Sequence, residues 1–110
     1  MRQYNLQKMV NGWFVGGFKP SVFATDACEV AVKQYKSGDV EPEHYHGIAT
    51  EITVVISGKI RMANKEFTEG DIILLEPGEV SSFEAVTDSI NVVVKIPGVL
   101  NDKYLSLGKR

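Results

Sequence analysis

Turn-forming residues recur along this chain at short intervals. They are Gly16-Gly17, Lys19-Pro20, Ser37-Gly38-Asp39, Ser57-Gly58, Ala63-Asn64-Lys65, Glu69-Gly70-Asp71, Pro77-Gly78 and Thr87-Asp88. Gly and Pro interrupt regular structure, and Asn, Asp and Ser close tight turns with their own side chains. No window longer than about ten residues is free of Gly and Pro and also carries an apolar stripe of helical period. The pieces between the breaks are short and rich in Val, Ile, Phe and Thr: 28–35, 50–56, 59–62, 72–75 and 90–96. Those are strand lengths and strand compositions. The spacing therefore predicts an all-β chain, a sandwich or antiparallel barrel, with at most one or two helical turns over 4–10.

At 110 residues, 44% hydrophobic and 24% charged, the chain has the size and mix of one globular domain, 1–110. A net charge of -2 and a pI near 5.6 argue against nucleic acid as a partner. Cys28 is the one cysteine, so no internal disulfide forms and a reducing, cytoplasmic setting is expected. The first twenty residues lack the apolar stretch of a signal peptide, and no run approaches a membrane span. The stretch 97–110 reads as the exit from the last strand into a C-terminal tail, with its final few residues loosely ordered.

The two histidines of the chain lie one residue apart, in Glu43-His44-Tyr45-His46. A strand has a side-chain period of two, so both imidazoles face one side and Tyr45 faces the other. Glu51 follows five residues after His46. Imidazole nitrogen and carboxylate oxygen together suit zinc, iron, manganese or nickel. Two histidines and one carboxylate also make a facial triad with open positions for a ligand. The pair alone is a weak signal, and an exposed loop with two solvated rings is its more ordinary reading.

The surrounding pattern resembles the first motif of the cupin family: Gly, five residues, His-x-His, four residues, Glu, six residues, Gly. Here these are Gly38, His44 and His46, Glu51 and Gly58. Gly70-Asp71, the apolar 72–75 and Pro77-Gly78 resemble the start of the second motif. The resemblance covers 38–86, with strands expected over 11–36 before it. It implies a cupin-type antiparallel β-barrel, that is, a double-stranded β-helix or jelly roll. It also implies a divalent metal held by His44, His46 and Glu51. Small cupins resemble dimers in which N-terminal strands pack across the interface, which makes a homodimer the expected assembly. The aromatics Trp13, Phe14, Phe18 and Phe23 would then cover a partner or an open sheet edge, and burial in the core of their own chain is the equal alternative.

The second motif departs from the family. Ser81 stands where a third histidine is expected, Ala85 where an asparagine is common, and Glu76 where a proline is common. A neutral hydroxyl is a poor ligand, so the metal would rest on three protein donors, or the pocket is metal-free and its histidines serve as acid and base. Ser81 and Phe83 share parity and are expected to face the cavity, with Phe83 an apolar wall. Tyr35 is a candidate for ligand binding or proton transfer, and Arg61 for clamping a phosphate or carboxylate. Three functions remain open: a metal-dependent enzyme on a small polar or sugar-like molecule, a metal-free sugar isomerase or epimerase, and a non-catalytic binding module. The fold itself does not choose among them.

Overall fold

In the computed structural model, which describes residues 1–106, the chain forms ten strands and one 3₁₀ turn. The strands are β1 (Trp13–Val15), β2 (Glu29–Tyr35), β3 (Val40–His46), β4 (Thr50–Ser57) and β5 (Lys59–Met62). They continue with β6 (Lys65–Thr68), β7 (Ile72–Leu75), β8 (Ser81–Ala85), β9 (Ser89–Ile96) and β10 (Lys103–Leu105). The first sheet runs β1-β2-β9-β4-β7 and the second β10-β3-β8-β5-β6. Named strand pairs are antiparallel in both sheets. Chain neighbours β3 and β4 lie in different sheets, and so do β8 and β9. The chain thus winds back and forth between two layers, as in a double-stranded β-helix.

The expected strands 59–62 and 72–75 form at those bounds, and 28–35, 50–56 and 90–96 shift by a single residue at one end. The helical turns expected over 4–10 reduce to the 3₁₀ turn Leu6–Lys8, where the Gln7 N–H donates to the Asn5 side chain at 2.8 Å. The tail 97–110 was expected to leave the sheet, yet Lys103–Leu105 returns as β10 and pairs with His44–His46. All three β10 side chains are exposed, so no apolar alternation marked the strand. The expectation of loose order in the last few residues falls on 107–110, outside the described residues. Among the described residues, no helix is long and apolar enough to cross a membrane.

The core lies between the layers at one end. Val55, Ile60, Met62, Phe83 and Ala85 are buried together, with Tyr35, Phe67, Ile73 and Leu75 packed against them. At the turn joining β4 to β5, Gly58 has φ +85, and a Cβ there would meet the Asp88 carbonyl oxygen at 2.2 Å. Only glycine satisfies both conditions. Trp13 and Phe18 turn to the interior of their own chain, where with Tyr35, Met62 and Phe83 they line a cavity that adjoins this core, while Phe23 is exposed.

Candidate functional site

The cavity holds about 690 Å³ between the two sheets. His44 and His46 enter it from β3 of the second sheet, and Glu51 and Thr53 from β4 of the first. Period-two alternation puts both histidines on the inner side, with ring centroids 5.5 Å apart. Tyr45 faces outward and stacks on Tyr104 of β10.

The tight connection between β3 and β4 brings Glu51 to His46. Asp102 organises that connection. Its carboxylate accepts hydrogen bonds from the backbone N–H groups of Gly47, Ile48 and Ala49, at 3.1, 3.0 and 2.9 Å. Burial raises the Asp102 pKa, but those three N–H donors outweigh it, and the value lies below the usual aspartate range. The Gly78 N–H donates to the His46 carbonyl at 2.8 Å, so the Pro77-Gly78 turn pins the same strand end.

His46 Nε2 lies 3.1 Å from Glu51 Oε1, with His46 only 5% and Glu51 9% exposed. Glu51 Oε2 accepts from the Thr53 hydroxyl at 3.0 Å. Burial pushes the Glu51 carboxyl up, but the His46 hydrogen bond and charge, the Thr53 hydroxyl and Lys95 bring it below the usual glutamate value. Glu51 is therefore ionised at neutral pH, and the short contact needs a proton on His46 Nε2. His46 Nδ1 is buried with no hydrogen-bond partner among the described residues. His44 Nδ1 donates to the Pro42 carbonyl at 3.0 Å, which leaves the Nε2 lone pair free. Burial lowers the His44 pKa despite the Pro42 bond, so this imidazole is neutral at neutral pH.

The donor set suits a divalent ion in kind. Two donors each about 2.0–2.2 Å from one ion lie roughly 3 to 3.5 Å apart, the separation of His46 Nε2 and Glu51 Oε1. The expected convergence of all three side chains is not met, however. Among the described residues, no three His, Cys, Asp or Glu side chains stand close enough together to hold an ion. His44 shares the cavity wall but remains tied to Pro42.

The other expected residues divide. Phe83 is buried against Tyr35, with ring centroids 4.3 Å apart, and both line the cavity. The Tyr35 hydroxyl donates to Glu41 at 3.2 Å, and burial with the Glu41 charge raises its pKa well above the usual tyrosine value. Ser81 sits opposite His44 and is 3% exposed, but its hydroxyl donates to the Ser82 carbonyl, and Ser82 forms the cavity wall at this level. Arg61 corrects the expectation of a clamp. It alternates with buried Ile60 and Met62 and points outward, where Glu66 and Glu84 bind its guanidinium at 2.6 and 3.1 Å. The burial of Ile60 and Met62 fixes that parity, and their side-chain character signalled it in the sequence.

Several cavity residues escaped sequence reading. On the inner face of the first sheet, Glu29, Lys95 and Glu51 stand in one cross-strand row. The ammonium groups of Lys95 and Lys33 lie 4.8 and 5.7 Å from the Trp13 ring centroid. Lys33 also donates to the Asn11 carbonyl, and burial lowers its pKa. Glu29 Oε2 and Asn91 Oδ1, on the cavity wall, are buried acceptors without hydrogen-bond partners among the described residues. No spacing motif marks these residues. Their only signal is a polar side chain at an inward strand position.

No family model matches the chain, and no curated protein matches it. Solved structures do. A conserved double-stranded β-helix protein from Klebsiella pneumoniae is 24% identical, with a TM-score of 0.70, over 96% of this chain and 91% of its own. A sugar phosphate isomerase of the cupin superfamily from Silicibacter pomeroyi is 20% identical, with a TM-score of 0.59, over 64% of this chain and 50% of its own. Oxalate decarboxylase of Bacillus subtilis, described with Mn(II) centres, is 19% identical, with a TM-score of 0.61, over 74% of this chain and 24% of its own. What is shared at these identities is the fold.

Proposed function

We propose that this chain, a cupin-type double-stranded β-helix by fold, binds a small polar or sugar-like molecule in its barrel and holds a divalent metal there through His44, His46 and Glu51. The observation that carries the reading is the 3.1 Å pairing of His46 Nε2 with Glu51 Oε1 on the cavity wall. His46 Nε2 and Glu51 Oε1 would hold the ion in place of the proton they share, as imidazole and carboxylate ligands generally must be deprotonated. His44, whose Nε2 is not used in the Pro42 bond, would be the third donor. Bound, the ion would act as a Lewis acid on a ligand oxygen.

The chain's own residues do the rest. Phe83, Tyr35 and Val93 form a wall that excludes water from one side of the ligand. Glu29 and Asn91 offer free acceptors to hydroxyl groups, and Lys33 and Lys95 offer cationic donors beside Trp13. Elemental analysis of untagged protein tests the metal. One divalent ion per chain, lost in His46→Ala, supports the reading; a chain that takes up none after incubation with Mn²⁺, Zn²⁺, Fe²⁺ and Ni²⁺ overturns it.

A second reading has its own observation. Ser81 replaces the third histidine, and its hydroxyl is turned to the Ser82 carbonyl. In that reading His46 and Glu51 act without metal as a proton-transfer pair next to a sugar carbonyl. Turnover of a sugar or sugar phosphate that survives chelators selects it over the first.

A further inference from the structure

Two lysines of the cavity wall have no carboxylate paired with them. Lys33 of β2 and Lys95 of β9 line the cavity, and among the described residues neither forms an ion pair. Lys95 stands between Glu29 and Glu51 in its cross-strand row, yet its ammonium turns to the Trp13 ring instead. The Lys33 ammonium approaches the same ring and gives one of its N–H donors to the Asn11 carbonyl. Most acids of the wall are engaged elsewhere. Glu51 holds His46 and Thr53, Glu41 takes the Tyr35 hydroxyl and Lys103, and Asp102 accepts from three backbone N–H groups. Burial lowers the Lys33 pKa and Glu41 partly offsets it, while the charges of Lys103 and Lys95 lower it further. A ring face attracts an ammonium but gives its N–H groups no oxygen acceptor. Two like charges meeting at one ring without a counter-ion is an arrangement that an incoming anion relieves.

We propose that Lys33 and Lys95 form an anion clamp beside Trp13, and that the ligand of the cavity therefore carries a carboxylate or phosphate group. The proposal deepens the reading of the cavity as a site for a small polar or sugar-like molecule, and rests on it. Oxygens of either acid group accept from both ammoniums at once, adding charge-assisted hydrogen bonds where only ring contacts stand now. A neutral sugar leaves the two cations as they are. Asn91 stands opposite Lys33 in the ladder, and its buried Oδ1 has no hydrogen-bond partner among the described residues. A ligand hydroxyl next to the acid group would supply the missing donor, which favours a hydroxy acid or a sugar phosphate over a bare anion. The clamp is distinct from the His46–Glu51 pair. Trp13, Lys33, Lys95 and Glu51 lie on four successive strands, β1-β2-β9-β4, so three strand spacings, roughly 14 Å along the sheet, separate the Trp13 and Glu51 backbones. An acid group at the clamp thus leaves the His46–Glu51 side of the cavity to the rest of the ligand.

Trp13 is the one tryptophan of the chain, so its emission reports on the clamp directly. Titration of metal-stripped, dialysed protein with D-gluconate, D-glucose-6-phosphate and D-glucose tests the proposal. At least one of the two acids is expected to give a saturable change with an affinity at least about tenfold above that of D-glucose. The tighter of the two tells carboxylate from phosphate. Lys33→Met and Lys95→Met keep the side-chain length without its charge, and each should weaken that acid at least about tenfold. Lys95→Arg keeps the charge and should stay within about threefold of wild type. A cooperative thermal transition establishes that each variant is folded. Should a methionine variant not fold, raising the ionic strength from about 0.05 to 0.5 M should still weaken the acid several-fold in the wild-type chain. Acids that bind no better than D-glucose, an affinity insensitive to salt, or a folded methionine variant that binds as wild type overturns the proposal. Metal uptake is read separately. A chain that takes up one divalent ion but shows no preference for an acid loses the clamp and keeps the metal site; one that takes up none yet prefers an acid keeps the clamp and loses the metal site.

Discussion

His46 Nε2 and Glu51 Oε1 meet at 3.1 Å across the seam between the two sheets, one side chain from β3 and the other from β4. The contact depends on the three-residue link between those strands. Asp102 holds that link from a distant part of the chain.

Asp102→Ala is expected to lower stability by about 2–4 kcal/mol, because it leaves three backbone N–H groups without their acceptor. It should also weaken metal uptake by loosening the His46–Glu51 geometry. Urea unfolding measures the first effect and metal titration the second. Asp102→Asn retains an acceptor oxygen and should fall between wild type and alanine.

Stability is expected to fall on acidification. Both Glu51 and Asp102 have carboxyl groups below their usual values in the folded chain. The unfolded chain then binds protons more readily, so their contribution is present above the ordinary carboxylate range near pH 4 and is lost as pH drops through the folded values. Unfolding free energies between pH 7 and pH 3 should show the decline, and Asp102→Asn should flatten it.

Glycine substitutions should separate two costs. Gly58→Ala forces a Cβ against the Asp88 carbonyl at positive φ and is expected to cost more than about 2 kcal/mol. Gly38 has φ +95 but open space around it, so Gly38→Ala should cost only about 1–2 kcal/mol. Equal costs in urea unfolding would show that the Asp88 carbonyl moves aside freely.

Arg61→Ala should leave metal and ligand binding unchanged, since its guanidinium is held by Glu66 and Glu84 on the outside of the second sheet. Binding isotherms of variant and wild type are expected to superimpose.

The strands were legible wherever an apolar run met a turn residue, as at Lys59–Met62 and Ile72–Leu75. Local chemistry fixes both ends of such an element. β10 was illegible because its exposed Lys103, Tyr104 and Leu105 are ordered by pairing with β3, and that information lies sixty residues away in the chain. The same holds for Asp102, which reads as a loop aspartate until the turn it caps is folded beside it. His44, His46 and Glu51 were legible as a set by spacing, and the fold brings two of them into contact while leaving His44 bonded to Pro42. Lys33, Lys95 and Glu29 were passed over because charged residues in strands are ordinarily assigned to solvent. Here those positions line the cavity instead.

The central claim is that one divalent ion replaces the proton between His46 and Glu51. Calorimetric titration of untagged, metal-free protein with Mn²⁺ or Zn²⁺, repeated in two buffers of different ionisation enthalpy, tests it most directly. The expected result is one ion per chain with net proton release, abolished in both His46→Ala and Glu51→Gln. An isotherm without binding, or binding that survives loss of either side chain, contradicts it.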